Sequence, residues 1–352
     1  MASESKPIVR SKGLLTRQRG FVVGLLVSVS LLFIEAVSIK PWPIFEDASA
    51  YYAMAKDPFV FMGVQGNPFA YRILTPWLVH VLPLATDGGF RLVTTTSILL
   101  TALTLYVFLT GPLGFSPRMG ILGQVLLITD ICVAYNIANY RLVDPLAYFL
   151  LILGLQFAWT QENVLFAGSM ALGVLNHEMQ FILTPVYYFI NKSKGLDLKC
   201  LMKTTLLTCP ALVCFLVLHF LISGRIEEPS LNPAGVVSSY VLASWMTNPV
   251  RSIGLFIFSW SFLWATAILG YLRCYNCAKV KGLVSLVLLA LLLAIPFDTS
   301  RMLAYAFPPI IAYSLYTLSS WSVSRRGLVA LMLVVALQVL LQVALIVFVL
   351  PR

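Results

Sequence analysis

The chain is a series of long apolar runs separated by short polar connections. A helix needs about 20 predominantly apolar residues to cross a bilayer. The runs that fit this requirement, or come close to it, cover residues 21–38, 92–110, 119–137, 143–160, 164–190, 204–223, 252–272, 283–295, 302–318 and 328–350. A further amphipathic run over 71–84 contains two prolines and is too short to span. The pattern predicts an all-α polytopic membrane protein with about ten spans.

The connections divide the chain into a tail and one large domain. Residues 1–20 carry five basic side chains and no apolar run, so they predict a cytoplasmic tail before a single transmembrane domain over 21–352. The longest connection, 39–91, predicts a large external loop. Apolar and aromatic residues after Asp47 recur in it at helical spacing, which predicts a helix lying in the membrane interface.

The run 164–190 decides the orientation of everything after it. It is either one long helix or two half-helices broken at Asn176-His177-Glu178 that enter and leave on one side. The broken form places 15 of the 24 basic residues on the cytoplasmic side, and the unbroken form places 10 there. Because cytoplasmic loops are enriched in Lys and Arg, the sequence predicts a broken hairpin, which membranes tolerate where it lines a cavity.

Composition supports the same class. Hydrophobic residues make up 59% of the chain and charged residues 11%, whereas a soluble globular domain carries about 25% charged residues. The net charge of +10 comes from basic residues in the short connections, which points to membrane orientation and to no nucleic-acid partner. Cys274 and Cys277 form one CxxC pair, which is weak evidence for a metal site, so we expect idle thiols.

Acidic residues concentrate on the predicted external side. Because a charge inside the bilayer costs about 2.5–3.5 kcal/mol on insertion scales, charged residues at or near the spans are candidates for a functional site. This asymmetry predicts a polar, charge-paired cleft at that face. The charged and polar residues assigned to that side are Glu35, Glu46, Asp47, Asp57, Arg72, Asp87, Asp130, Arg141, Asp144, His177, Glu178, Asp298 and Arg301.

Each of these residues also has a structural interpretation. Asp47 begins an interfacial helix and Asp144 begins a span before Pro145, so either carboxylate could cap a helix. Arg72 could reach the lipid headgroups with its long side chain or bind a phosphate. Asp298 and Arg301 have the i, i+3 spacing of an ion pair that orients its own two members.

The hairpin break is harder to explain structurally. Capping of a half-helix accounts for Asn176 but not for three adjacent polar side chains. His177 and Glu178 are therefore candidates for a site.

These motifs together resemble the GT-C superfamily of membrane glycosyltransferases, which use polyprenyl-phosphate-linked sugars. The resemblance rests on short motifs at successive span ends: Glu46-Asp47, Tyr71-Arg72-Ile-Leu-x-Pro, Asp144-Pro-Leu-Ala, Leu-Asn-His177-Glu178 and Asp298-Thr-Ser-Arg301. The acidic pair departs from a strict DxD motif. The short length resembles that of small bacterial members, for which no C-terminal periplasmic domain is expected.

The resemblance implies a function and roles for these residues. It makes Asp47, beside Glu46, the base that deprotonates the acceptor. Arg72 and Arg301 become cations for the donor phosphate, and Tyr71, Asp144, His177, Glu178 and Asp298 complete the donor and substrate site. The implied partners are a lipid-linked sugar donor, a saccharide, lipid or protein acceptor, and membrane lipids. The implied location is a bacterial inner membrane, with a cytoplasmic N-terminus. The resemblance identifies no certain cofactor and leaves a divalent metal as a candidate.

Three other functions stay open. A transporter or lipid flippase would also place charges and a broken helix in the membrane, although its charges should reach both sides and repeats often mark such folds. A partner-binding membrane subunit would carry stripes of small residues for helix packing. An acyltransferase would use His177 as its base.

Overall fold

The computed structural model describes residues 8–43, 46–57, 71–193, 195–223, 260–274, 282–294 and 303–321, with a few isolated positions between 329 and 340. For residues 46 and 47 it describes the backbone alone. No strand occurs in these ranges. The helices are α1 (Ile8–Ser38), α2 (Glu46–Lys56), α3 (Leu74–Val81), α4 (Thr86–Thr110), α5 (Pro117–Ile128), α6 (Ile131–Ala138), α7 (Asp144–Thr160), α8 (Asn163–Asn176), α9 (Leu183–Asn191), α10 (Leu198–Ser223), α11 (Phe262–Arg273), α12 (Val284–Ala294) and α13 (Phe307–Trp321).

Three of the described helices are long and apolar enough to cross a membrane. They cover Thr16–Ser38 in α1, Thr86–Thr110 and Leu198–Leu221. The pair α5 and α6 makes a fourth if it is counted as one bent span. The all-helical prediction is confirmed for the described residues, whereas the prediction of about ten spans goes beyond what these helices show.

The boundaries of two predicted segments move. Helix α1 begins at Ile8, inside the predicted tail, because strong helix formers such as Leu14, Arg17 and Arg19 extend the helix past its apolar part. Helix α4 begins at Thr86 rather than at residue 92, and its first turn holds Asp87, where the helix N-terminus favours a carboxylate. The connection between α1 and α4 is therefore shorter than the predicted 39–91.

The predicted span 119–137 is bent by 49° between α5 and α6. Asp130 causes the new start, because its carboxylate accepts a hydrogen bond at 2.9 Å from the Cys132 backbone N–H and so caps α6. The residue is fully buried. The sequence assigned Asp130 to a polar external face, and the structure places it inside the protein as a helix cap.

The predicted break in 164–190 is present. Helix α8 ends at Asn176, His177 is extended with φ −162° and ψ 127°, and a 3-10 turn over Glu178–Ile182 leads into α9. Tyr187 Oη donates to Asn163 Oδ1 at 2.7 Å, and Asn191 Nδ2 donates to the Ala158 carbonyl at 3.0 Å. The end of α9 therefore returns to the start of α8, so the two half-helices form a hairpin.

Helix α7 lies at the centre of the bundle and packs against α4 on one side and α8 on another. Its core positions, among them Leu151, Ile152 and Leu155, are fully buried. Helix α10 is different, because Phe220 is 81% exposed and Met202 is 74% exposed. Large apolar side chains on an outer helix face are what a lipid environment accommodates, in agreement with the predicted membrane protein.

Candidate functional site

Charged side chains from four segments meet at one end of the bundle. We call it the site end; it is the end at which α7 begins and α8 ends. The acid–base cluster found there consists of Tyr51, Arg72, Asp144, His177 and Glu178, and it is contributed by α2, the segment before α3, α7 and the hairpin break. Several predicted site residues are therefore neighbours in the folded chain.

Arg72 binds Glu178 through two parallel contacts. Its Nε donates to Glu178 Oε2 at 3.0 Å, and its Nη2 donates to Oε1. The remaining terminal nitrogen, Nη1, donates to Tyr51 Oη at 3.0 Å. The Arg72 side chain is 8% exposed and that of Glu178 36% exposed. A two-point pair of this kind fixes both charge and orientation, and it presents the Glu178 carboxylate as the reachable member.

His177 lies between two carboxylates. Its Nε2 is 3.8 Å from Asp144 Oδ1, and its Nδ1 is 3.5 Å from Glu178 Oε2. Nδ1 also accepts a hydrogen bond from the Met179 backbone N–H at 3.2 Å. Because an accepting nitrogen carries no proton, the neutral imidazole holds its proton on Nε2, directed toward Asp144. His177 is 1% exposed and Asp144 is fully buried.

Asp144 does not act as the helix cap that the sequence allowed. The N-cap of α7 is Val143, and Asp144 is the first helical residue, followed by Pro145. Its carboxylate therefore lies in the first helical turn, where the N-terminal partial charge stabilises an anion. Its Oδ1 lies 3.8 Å from His177 Nε2.

Asn176 fixes the relative positions of three elements. Its Oδ1 accepts from the Thr75 hydroxyl at 2.6 Å, and its Nδ2 donates to the Val143 carbonyl at 2.8 Å. Gln180 adds a further tie, because its Nε2 donates to the Ala147 carbonyl at 2.6 Å. These buried amides hold α3 and the start of α7 against the hairpin break, so they set the spacing of the cluster.

Tyr71 lies beside the cluster without joining its ion pairs. Its ring stacks on His219 of α10, with 3.6 Å between centroids and 10° between ring planes. The sequence offered no reason to pair these residues, which are far apart in the chain. The stack joins the segment that carries Arg72 to α10.

The structure brings together five of the predicted site residues, namely Tyr71, Arg72, Asp144, His177 and Glu178. Tyr51, Asn176, Gln180 and His219 complete their surroundings. Asp298 and Arg301 lie outside the described residues, and so do the side chains of Glu46 and Asp47. Within the described ranges no group of three or more His, Cys, Asp or Glu side chains is arranged to hold a metal ion.

Two comparisons by sequence give no match. No protein-family model matches the chain, and no curated protein matches it. Among solved structures, the chain is similar to the crystal structure of the oligosaccharyltransferase of Archaeoglobus fulgidus in its apo form, with a TM-score of 0.56 and 12% sequence identity. The match covers 94% of this chain and 54% of the archaeal one, so this chain spans about half of that transferase. At this identity the likeness shows a shared fold and no more.

Proposed function

We propose that the chain is a membrane glycosyltransferase that moves a sugar from a polyprenyl-phosphate-linked donor to an acceptor hydroxyl at the external face. The main observation in its favour is the buried acid–base cluster at one end of the bundle. Ionised groups are expensive inside a membrane protein and usually mark a functional site. The fold shared with an oligosaccharyltransferase makes sugar transfer the function class that best fits this cluster.

Asp47 is the proposed catalytic base. Helix α2 begins at Glu46, so Asp47 is in its first turn and precedes Tyr51 by four residues. Residues at this spacing share a helix face, and the Tyr51 hydroxyl contacts Arg72. This spacing supports Asp47 as a base near the acid–base cluster, since a base must lie within hydrogen-bond reach of its substrate.

The two arginines have different proposed roles. Glu178 and Tyr51 already occupy the Arg72 guanidinium, so Arg72 holds Glu178 as a carboxylate that can orient the acceptor. Arg301 is the proposed cation for the donor phosphate, with Asp298 orienting it. Tyr305 follows Arg301 by four residues, and the centroid of its ring lies 5.8 Å from that of His177. This contact supports a position of Arg301 near the acid–base cluster.

The proposed reaction is a single displacement. Asp47 takes the proton of the acceptor hydroxyl, and the oxygen forms a bond to the anomeric carbon of the donor sugar. The bond between that carbon and the phosphate oxygen breaks, so the lipid phosphate leaves with the electron pair. Cations near the phosphate stabilise the charge that develops on it. Attack opposite to the leaving group inverts the anomeric configuration.

The test is the Asp47→Asn variant. General-base catalysis typically contributes about 10²–10⁴-fold, so turnover should fall at least about 100-fold. A residue that only stabilises the first turn of α2 should tolerate the change, because loss of its charge there costs no more than about 1 kcal/mol of stability. The assay supplies a radiolabelled polyprenyl-phosphate sugar to the purified protein with an acceptor extract.

Glu46→Gln is the matched control, since it neutralises the adjacent carboxylate in the same turn. We expect this control to keep most of the turnover. Near wild-type turnover in Asp47→Asn would exclude Asp47 as the base and make Asp144 or Glu178 the next candidate.

A further inference from the structure

A second charged cluster lies at the site end, apart from the acid–base cluster. We call it the Arg141 cluster; its members are Tyr52, Lys56, Asp87, Arg91, Tyr140 and Arg141. The proposed function uses none of them. They come from α2, from α4 and from the connection between α6 and α7.

Asp87 organises one side of this cluster. Its Oδ1 accepts hydrogen bonds from Arg141 Nε at 2.9 Å and from the Tyr140 hydroxyl at 2.9 Å. Arg141 Nη2 lies 2.8 Å from the same oxygen. The Asp87 side chain is 47% exposed and that of Arg141 9% exposed. The carboxylate therefore fixes the orientation of a buried guanidinium.

Basic side chains lie over the rings of Tyr52 and Tyr140. Arg141 and Arg91 lie 4.4 Å and 4.5 Å from the centroid of the Tyr140 ring. Lys56 lies 4.8 Å from the centroid of the Tyr52 ring, and Arg141 lies 5.8 Å from it. Three cations and one carboxylate thus meet around two tyrosine rings, and such a set has an excess of positive charge.

One donor of Arg141 has no acceptor among the described residues. Its Nη1 is buried, and no described residue accepts a hydrogen bond from it. Burying a charged donor without a partner is costly, and a guanidinium that already uses Nε and Nη2 on Asp87 can offer its remaining edge to a second oxygen group. Nη1 is therefore the donor of Arg141 that an added anion would satisfy.

We propose that the Arg141 cluster binds the phosphate group of a lipid, with Arg141 Nη1 and Arg91 as its two main contacts. The site shares no residue with the Arg72–Glu178 pair, and its Tyr140 packs with Tyr51, Phe90 and Val143 in one apolar cluster. Helix α2 provides Tyr51 to one site and Tyr52 to the other. The proposal does not depend on sugar transfer.

The chemistry fits two sources of phosphate, a polyprenyl phosphate and a phospholipid headgroup. Binding is measured on the purified full-length chain in detergent with a polyprenyl monophosphate, phosphatidylglycerol and inorganic phosphate as separate probes. Saturable binding of the polyprenyl phosphate above the other two supports the site and identifies a carrier lipid. Equal binding of both lipids supports the site and identifies a general headgroup. Failure of both lipids to saturate the wild-type protein overturns the proposal.

Three variants test which residues bind the probe. Arg91→Gln, at an exposed position, should weaken lipid binding about fivefold, and Arg141→Lys, which keeps the charge but loses the planar fork, about tenfold. Arg118→Gln removes an exposed arginine elsewhere in the chain and should change nothing. Unchanged affinity in folded Arg91→Gln and Arg141→Lys overturns the assignment.

The sign of a fourth effect separates an anion site from a structural ion pair. Asp87→Asn removes the carboxylate that competes with the ligand for Arg141, while the amide oxygen can still accept the hydrogen bonds. An anion site therefore predicts tighter lipid binding, by about three- to tenfold at the distances involved. A purely structural pair predicts a lower unfolding temperature and unchanged or weaker binding, and that result overturns the proposal.

Discussion

The pair of Arg72 and Glu178 shows how one contact can serve both stability and function. Arg72 is almost completely buried, so its charge depends on Glu178 and on the Tyr51 hydroxyl for compensation. Breaking a buried pair leaves an uncompensated charge, which is more damaging than removing the whole pair. The same tie keeps the exposed carboxylate of Glu178 in one orientation.

A double-mutant cycle tests this dependence. Glu178→Gln and Arg72→Gln should each lower the free energy of unfolding by about 2 kcal/mol, below the range for fully buried pairs because Glu178 is partly exposed. The double variant should lose less than the sum of the two, with a coupling of at least about 1 kcal/mol. Unfolding of the three variants in detergent, followed by temperature or denaturant, gives the coupling. Additive losses would mean that the two side chains do not depend on each other.

The sequence predicts most members of the acid–base cluster but not their contacts. Arg72 and Glu178 are 106 residues apart, and no local pattern links them. Tyr51 lies in a helix predicted to be interfacial, where aromatic residues are common for reasons unrelated to a site. The predicted role of Arg72 as a free phosphate cation overlooked the carboxylate that already occupies its guanidinium.

Among the elements, the hairpin of α8 and α9 is the one that positions the cluster. Its two halves come close at Gly173, where an added Cβ would lie 2.8 Å from Gln180 Cδ and 3.0 Å from Oε1. Gln180 is fully buried and held by the Ala147 carbonyl, so it has little room to move. Gly173 therefore permits the close return of the chain after the break.

Two alanine substitutions in α8 separate this role from helix propensity. Gly173→Ala should displace Gln180, lower the free energy of unfolding by about 1–3 kcal/mol and reduce activity, because Glu178 lies in the displaced turn. Gly168→Ala is the matched control, since no described atom lies within 4 Å of the added carbon. In the control the better helix propensity of Ala should leave stability unchanged or up to about 1 kcal/mol higher. Equal effects in unfolding experiments would refute the packing role.

The break in this hairpin could be predicted, and the bend at Asp130 could not. Three adjacent polar residues interrupt the apolar run at 176–178. Polar side chains inside a membrane-spanning helix are energetically costly, so their presence predicts a break. Asp130 is a single acid near the middle of an apolar run. At such a position the sequence pattern is the same for a helix cap and for a surface charge. Only its hydrogen bond to the Cys132 backbone N–H distinguishes the two.

At the scale of the whole molecule, contacts determine which segments share an end of the bundle. Helix α1 passes Tyr106, whose hydroxyl donates to the Arg17 carbonyl. The chain just after α1 lies near α6, where the Trp42 backbone N–H donates to the Ala138 carbonyl. The C-terminal end of α1 is therefore at the site end of the bundle. The start of α8 and the end of α9 lie at the opposite end. The side of the membrane that each end faces comes from the distribution of Lys and Arg in the sequence.

Cysteine labelling tests the hairpin and the sidedness separately. In a cysteine-free variant, Lys40→Cys at the end of α1 and Ser193→Cys after α9 place one exposed thiol at each end of the bundle. An impermeant reagent added to intact cells should label position 40, and position 193 should react only after permeabilisation. Labelling of both positions from outside would contradict the hairpin, because an unbroken 164–190 helix carries residue 193 to the same side as residue 40. Labelling of position 193 alone would leave the hairpin intact and reverse the orientation, so the acid–base cluster would face the cytoplasm and the donor would have to be supplied there.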